Sequence, residues 1–318
     1  MNWKTKITEL LSIRYPVIQG GLAYLAYSEL ASAVSNAGGL GQITAMSLES
    51  PEKLREEIHK TRNKTVHPFG VNFAIGSHGR PYEDMVQVAI EEQVPVVSVT
   101  GGNPKGVLDM LSNTGIKKLV LVAAKRQAKK AEELGADAVM VVGQEGGGHI
   151  GRSDTGTFIL TPEVVDTVEI PVIASGGISD GRGVMAALAL GAEGVEMGTR
   201  FIATKECLHA HEKYKQSILD ATDEGTTVIK ISLGTPARVL ANDWTDQILA
   251  LEKQGADYDK LKTLISGEAN KSFIHMGLEK QGFGWAGQVS ARIHEELSVQ
   301  QLFDKIKEEA DYISDKWR

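Results

Sequence analysis

The sequence predicts an α/β barrel, because eight short apolar runs recur along the first two-thirds of the chain and each precedes a loop and an amphipathic stretch. Successive runs begin 20 to 33 residues apart, a spacing typical of strand–helix units with parallel strands. The runs are apolar rather than alternating, as expected for strands covered on both faces. They comprise residues 16–19, 40–43, 69–73, 95–99, 118–122, 138–142, 171–174 and 194–197.

The number of units favours closure of the sheet. A doubly wound open sheet is the alternative, but eight strands can close into a TIM (β/α)8 barrel in which every strand has two neighbours and no edge is exposed. Active sites of such barrels lie at the C-terminal ends of the strands. The residues that follow each run are therefore the candidates for function.

The helices and the later part of the chain follow from glycine and charge patterns. Helical stretches 28–37, 125–134 and 183–190 are each followed directly by glycine, which is typical of a helix C-terminus. After Arg200 the strand–helix pattern breaks, and only residues 227–231 form another strand-like run.

We therefore expect three segments. The first is a barrel over residues 1–205, the second is a smaller helical domain inserted at 206–275 that covers the substrate, and the third is a segment at 276–318 that returns to the barrel. The returning segment ends in an amphipathic helix over 299–318.

Composition excludes several functional classes. The 318 residues have a net charge of −7, which disfavours nucleic-acid binding because phosphates require a clustered excess of basic residues. Cys207 is the only cysteine, so we expect no disulfide and no metal site. No apolar stretch reaches the roughly eighteen residues of a membrane span, and no signal peptide is recognisable. The prediction is a cytoplasmic protein that does not cross a membrane.

Two glycine turns follow the last two predicted strands. Gly176 and Gly177 follow the seventh run, and Gly198 and Thr199 follow the eighth. Glycines allow backbone N–H groups to approach an anion closely, and barrels often bind phosphate in the loops after strands 7 and 8. We interpret the turns as a phosphate site, with ordinary glycine turns as the alternative.

A single histidine stands within a glycine-rich segment after the sixth strand. In the segment 143–151, His149 is surrounded by glycines that contribute nothing to a core. Such a segment suits a flat ligand lying against the backbone, and an unperturbed imidazole pKa near 6.5 suits a base. A flexible loop with an incidental histidine is the alternative.

These motifs together resemble one family, the FMN-dependent nitronate monooxygenases, formerly called 2-nitropropane dioxygenases. The flavin-type enoyl-acyl-carrier-protein reductases are close relatives of that family. The resemblance covers nearly the whole chain, through the segments 16–21, 147–151, 173–178, 198–201 and 285–288. Leu22, Gly146 and Trp285 depart from the residues common in the family, which leaves the identity of the substrate open.

The resemblance implies non-covalent FMN and an oxidoreductase that uses O2. An alkyl nitronate would be converted to a carbonyl compound and nitrite, and His149 would act as the base when the substrate is a neutral nitroalkane. The implied phosphate ligands are Gly176, Gly177, Gly198 and Thr199. The residues implied around the rest of the flavin are Gly21, Leu22, Asn72, Gly148 and Gln288.

Two alternatives remain open. The first is an FMN-dependent enoyl-acyl-carrier-protein reductase, in which NAD(P)H reduces the flavin and an enoyl thioester receives the hydride. The second is a flavin-binding protein without turnover. The sequence also leaves the oligomeric state open, with a homodimer as one candidate.

Overall fold

The computed structural model describes residues 2–76 and 81–316, and its centre is a parallel barrel, as predicted. Eight parallel strands follow one another around the sheet in the order β1-β9-β8-β6-β5-β4-β3-β2. The strands are β1 (Val17–Gln19), β2 (Gly41–Thr44), β3 (Phe69–Ala74), β4 (Val96–Thr100), β5 (Lys117–Val122), β6 (Ala138–Val142), β8 (Val172–Ser175) and β9 (Gly194–Met197).

Backbone hydrogen bonds between β1 and the residue that directly precedes β2 close the sheet into a barrel. A parallel bridge joins Ile18 to Leu40. The N–H of Gln19 donates to the carbonyl of Leu40 at 2.9 Å, and the N–H of Leu40 donates to the carbonyl of Val17 at 3.0 Å. The ladder therefore satisfies backbone groups that an open sheet would expose at its edges.

The interior of the barrel is an apolar cluster in which Ile18, Leu40, Leu119, Met140 and Ile173 have no solvent exposure. These side chains alternate with residues that point outward against the helices, because successive residues of a strand face opposite sides. Ile7 and Leu11 of the first helix belong to the same cluster, so that helix covers the N-terminal ends of the strands and leaves the C-terminal ends for a site.

Helices surround the barrel, and polar caps define where several of them begin. Ser50 caps the third helix, which has Pro51 in its first turn, and Asp180 caps the eighth. The α-helices are α1 (Lys6–Leu11), α2 (Ser28–Asn36), α3 (Pro51–Lys64), α4 (Glu83–Glu91), α5 (Lys105–Met110), α6 (Lys125–Glu133), α7 (Thr157–Val165), α8 (Gly181–Ala189), α9 (Thr199–Ile202), α10 (Glu212–Leu219), α11 (Asp243–Lys253), α12 (Tyr258–Leu261), α13 (Gly267–Ile274) and α14 (Val299–Lys316). Short 3-10 helices cover Ala45–Ser47, Glu279–Gln281 and Gln288–Arg292.

A second, antiparallel sheet lies beside the barrel. It contains β7 (Gly148–His149), β10 (Thr226–Ile229) and β11 (Ala237–Leu240), in the order β10-β11-β7. The sequence pattern predicted β10 but not β7 or β11, because β7 has only two residues and β11 contains a buried arginine, Arg238.

This sheet and the helices α11–α13 enclose a small apolar cluster, separate from the barrel interior, whose buried members include Ile229, Val239, Ile248 and Phe283. By contrast, Tyr214 of α10 belongs to the large cluster against the barrel. The division of the chain at residues 206 and 275 stays a prediction.

The C-terminal helix packs on the outside of the barrel. Phe303 and Ile306 of α14 are buried in the large cluster. A methyl group added at Gly181 would lie only 2.5 Å from the carbonyl oxygen of Ile306, so the backbones of α8 and α14 are in close contact. The predicted helix reached residue 318, but residues 317–318 lie outside the described residues. Across the described ranges, no helix combines the length and apolarity needed to cross a membrane.

The contact between α2 and β2 predicts a large loss of stability on substitution of Gly41. A methyl group at Gly41 would lie 1.9 Å from the carbonyl oxygen of Ala31. Because that neighbour is backbone, relief requires the helix to move, and Gly41→Ala is expected to lower the free energy of unfolding by about 2–3 kcal/mol. Urea denaturation followed by circular dichroism measures the change. Gly76→Ala is the control, because no atom lies within 4 Å of the added methyl; equal losses in the two variants would contradict this reading of the contact.

Candidate functional site

The predicted site residues meet at the C-terminal ends of the barrel strands. A methyl group built on Gly21, after β1, would lie 2.3 Å from Oδ1 of Asn72 on β3. One built on Gly198, after β9, would lie 3.5 Å from Leu22. The hydroxyl of Thr199 accepts a hydrogen bond from the N–H of Gly287 at 2.9 Å. These contacts form a continuous rim from β3 through β1 to β9.

The rim continues through the glycine-rich segment after β6. The N–H of Gln288 donates to the carbonyl of Glu145 at 3.0 Å. A methyl group at Gly147 would lie 2.6 Å from the N of Gly287, and one at Gly176 would lie 3.1 Å from the N of Gly146. The loop after β8, the loop after β6 and the returning segment are therefore in backbone-to-backbone contact.

The turn after β8 requires glycine for two reasons. Gly176 and Gly177 have φ angles of 93° and 75°, a left-handed conformation that other residues adopt at a cost. Gly177 is exposed, although the strand that precedes it is buried. Its backbone is therefore accessible to a ligand at the barrel mouth, which fits an anion bound by main-chain N–H groups.

The turn after β9 also leaves its backbone accessible to a ligand. Gly198 precedes the short helix α9, which begins at Thr199. Little surrounds Gly198, since Leu22 provides the nearest atom to a methyl group built there. Thr199 uses its oxygen as an acceptor for Gly287, so its O–H proton remains available for a ligand. Both turns leave space beside the backbone that a larger residue would fill with its side chain. This space fits the phosphate of a nucleotide.

Three of the remaining predicted residues differ in their surroundings. Asn72 is buried, and its Nδ2 donates to Oγ of Ser98 at 2.9 Å. Leu22 is also buried, and its N–H donates to Oγ1 of Thr44 at 3.1 Å. Gln288 is exposed at the start of a 3-10 helix. Asn72 and Leu22 are therefore buried beneath the rim, whereas Gln288 is exposed on it.

His149 lies in β7 rather than in an irregular loop. Its backbone pairs with Ala237 of β11, and Gly148 pairs with Arg238. The imidazole ring packs beside Trp285, with ring centroids 5.5 Å apart. The antiparallel sheet therefore fixes the backbone of the histidine, and Trp285 packs against its ring.

A lysine that the sequence reasoning missed contacts the histidine. Nζ of Lys230 lies 2.5 Å from Nε2 of His149. Because an ammonium group has no lone pair, it must donate, so the ring accepts at Nε2 and carries its own proton at Nδ1. Lys230 follows β10 with a left-handed φ of 63°, and its N–H donates to the Glu252 carboxylate at 2.9 Å.

These surroundings lower the pKa of both His149 and Lys230. His149 is exposed to solvent, but partial desolvation of its ring by neighbouring protein atoms, followed by the charge of Lys230, lowers its pKa to about 4. Burial lowers the pKa of Lys230 as well, and the nearby Glu252 carboxylate opposes that change. At neutral pH the imidazole is therefore uncharged, and the positive charge at this position belongs to the lysine.

Two further polar residues near the strand ends were not predicted. Arg238 donates from Nε to the carbonyl of Gln144 at 3.1 Å, which ties β11 to the glycine-rich segment. Glu196 is buried at the end of β9, and burial raises its pKa. Glu196 could have been found from its position next to Gly198, whereas Arg238 depends on a strand pairing that the sequence does not reveal.

Other candidate sites lie apart from this rim. A cavity of about 570 Å³ lies between α8 and α14 and is lined by charged side chains that include Asp180, Arg200 and Arg292. Within residues 2–76 and 81–316, no three His, Cys, Asp or Glu side chains are arranged to hold a metal ion. Cys207 is buried, which raises its thiol pKa to about 12, so it is unsuited to nucleophilic chemistry.

Comparison with known proteins identifies the family. The family model for nitronate monooxygenase matches residues 4–77 and 74–309. A probable nitronate monooxygenase from Staphylococcus saprophyticus is 32% identical, over 99% of this chain and 100% of that protein.

Two solved structures have the same fold. FabK from Thermotoga maritima has 40% sequence identity and a TM-score of 0.92, and the match covers 99% of this chain and 98% of that one. A nitroalkane oxidase from Streptomyces ansochromogenes has 27% identity and a TM-score of 0.82, with coverage of 98% and 99%. The resemblance inferred from the motifs is thus confirmed: the chain is a flavoprotein oxidoreductase that belongs to the nitronate monooxygenase family.

Proposed function

We propose that the protein is an FMN-dependent nitronate monooxygenase that converts alkyl nitronates and O2 to carbonyl compounds and nitrite. The observation that carries this proposal is the contact between Lys230 and His149, which lies in the glycine-rich segment after β6. It provides a positive charge and a neutral imidazole at the mouth of the barrel. A nitronate is an anion, so its charge is complementary to that of the lysine.

The FMN phosphate is assigned to the N–H groups of Gly176, Gly177 and Gly198 and to the hydroxyl of Thr199. The isoalloxazine and ribityl groups are assigned to Gly21, Leu22, Asn72, Gly148 and Gln288. When bound, FMN supplies the electron transfer of the reaction. The chain's own residues bind and orient the substrate, exclude water and move protons.

His149 has different roles for the two substrate forms. With a nitronate, which has already lost its α-proton, the ring and Lys230 bind the negatively charged nitro group. With a neutral nitroalkane, Nε2 of His149 must leave Lys230 to accept the proton, because Nδ1 already carries one. The low pKa of the imidazole makes it a weak base, so nitronates are the preferred substrates.

Trp285 limits the space beside His149. Its ring packs between Phe283, at a centroid distance of 4.9 Å, and the imidazole. Its carbonyl accepts a hydrogen bond from the hydroxyl of Tyr214 at 2.5 Å, which holds this part of the chain. A large, fixed aromatic side chain at this position favours small substrates.

A second candidate is the FMN-dependent enoyl-acyl-carrier-protein reductase. It is favoured by the similarity to FabK, whose sequence identity with this chain, 40%, exceeds that of the nitroalkane oxidase. An enoyl thioester is uncharged at its reacting atoms until hydride addition makes an enolate, whereas a nitronate is an anion before it binds. The charge of Lys230 is therefore complementary to the nitronate already in the ground state, which supports the nitronate reaction.

Oxygen uptake and nitrite release test the proposed function. Protein reconstituted with FMN is expected to consume O2 and to release nitrite when propionate-3-nitronate is added. The matched comparison is anaerobic addition of NADH, which should reduce the flavin slowly. Rapid bleaching by NADH together with reduction of an enoyl thioester, and no nitrite from nitronates, would favour the second candidate. Inertness toward all these substrates would leave a flavin-binding protein without turnover.

The Lys230–His149 contact predicts a distinctive pH profile. For a neutral nitroalkane, kcat/KM should fall only as the pH drops through about 4, because His149 is deprotonated above that value. Lys230→Met removes the charge that helps to lower the pKa, so the fall should occur at higher pH, nearer to 6.5. His149→Ala should lower nitroalkane turnover by about 10²–10⁴ and preserve more of the nitronate activity.

Lys230 should also affect nitronate binding. Loss of a charged hydrogen bond in Lys230→Met is expected to raise the KM for a nitronate roughly 10- to 100-fold. Lys230→Arg keeps the charge and is the control. An unchanged pH profile and an unchanged KM in the Met variant would contradict the role assigned to this contact.

A further inference from the structure

A carboxyl group lies inside the mouth of the barrel, on the strand that leads to the proposed phosphate turn. Glu196 of β9 is paired in register with Ile18 of β1 and with Ser175 of β8. Ile18 belongs to the cluster that fills the barrel, so residues in this register point inward. Oε1 of Glu196 would lie 3.0 Å from a methyl group built on Gly20, which puts the carboxyl directly beneath the turn after β1.

The inward-facing layer around Glu196 has no other ionisable group. Ser175 is paired in register with Val142 on β6, so Val142 belongs to the same layer. On the opposite side of the barrel, Asn72 of β3 is paired with Ser98 of β4. The layer also includes Gln42, which lies against Gly70. Apart from Glu196, the members named here are uncharged, either polar or apolar.

No cation compensates the carboxylate. Ser175 provides a hydrogen bond to Glu196, and in the described ranges no ion pair includes this residue. Only 6% of its surface is exposed. An unpaired carboxylate costs far more to bury than the neutral acid, so burial raises the pKa of Glu196 and shifts its equilibrium toward the protonated form.

A protonated carboxyl has a donor that the carboxylate lacks. Ser175 can donate to one oxygen of the acid, while the acid's own O–H requires an acceptor. The carbonyl of Gly20 already accepts a hydrogen bond from Nε2 of Gln19, and the flavin is assigned to the adjoining residues Gly21 and Leu22. Flavin carbonyls, ring nitrogens and ribityl hydroxyls are suitable acceptors at this depth of the site.

We propose that Glu196 is a positioning residue for the flavin and that, as a neutral carboxylic acid, it donates a hydrogen bond to bound FMN from the floor of the site. This assignment rests on the proposed binding of FMN. It extends that proposal by adding a buried acid to the main-chain amides and neutral side chains assigned to the cofactor.

Three proteins test the assignment: the wild type, Glu196→Gln, which keeps a neutral donor, and Glu196→Met, which has similar volume and no donor. At pH 7 the Gln variant is expected to bind FMN within about threefold of the wild-type Kd. The Met variant is expected to bind roughly tenfold more weakly, the value of one hydrogen bond. Circular dichroism checks that each variant is folded, and quenching of flavin fluorescence gives the Kd.

Infrared difference spectra with and without FMN provide a second readout that needs no activity. The wild type should show the carbonyl stretch of a protonated carboxyl at pH 7, this band should shift when FMN binds, and the band should be absent in Glu196→Gln. A carboxylate band in its place, a protonated band that FMN leaves unchanged, or equal Kd values for the Met variant and the wild type would overturn the assignment while leaving FMN binding intact. Failure of the wild type to bind FMN would overturn the proposed function and this assignment together.

Discussion

The site depends on close approach between glycine backbones at the C-terminal ends of the barrel strands. Gly147 lies against Gly287, and Gly176 lies against Gly146, at distances that leave no room for side chains. The two loops and the chain around Gly287 can therefore meet at one place. Without these contacts, neither the proposed phosphate turns nor the histidine would have a fixed position relative to the barrel.

The same segment couples the barrel to the small sheet. Gly148 and His149 leave the barrel loop and pair with β11, so the imidazole is held by a strand ladder on one side and by Trp285 on the other. Lys230 enters from the end of β10 in that sheet. The barrel therefore provides the proposed cofactor site, while the small antiparallel sheet provides the charge that the proposed substrate requires.

The sequence predicted the barrel well because each strand is a local apolar run and three of the predicted helices are followed directly by glycine. It assigned Gly21, Asn72, Gly198 and His149 to one edge because the C-terminal ends of parallel strands meet there, and the structure brings Gly21 close to Asn72 and Gly198 close to Leu22. It missed Lys230 and β11, since their importance comes from pairing between Ala237 and His149, 88 positions apart. No local pattern encodes such a pairing, and a lysine at the end of a strand is usually a solvated side chain.

The central claim, that glycine turns bind a phosphate, is tested most directly by comparing FMN with riboflavin in a fluorescence-quenching titration at low ionic strength. The two ligands share the ring and the ribityl chain and differ in the phosphate alone. Charged hydrogen bonds from several amides predict that FMN binds at least about 100-fold more tightly. Equal affinities for the two flavins would contradict the account.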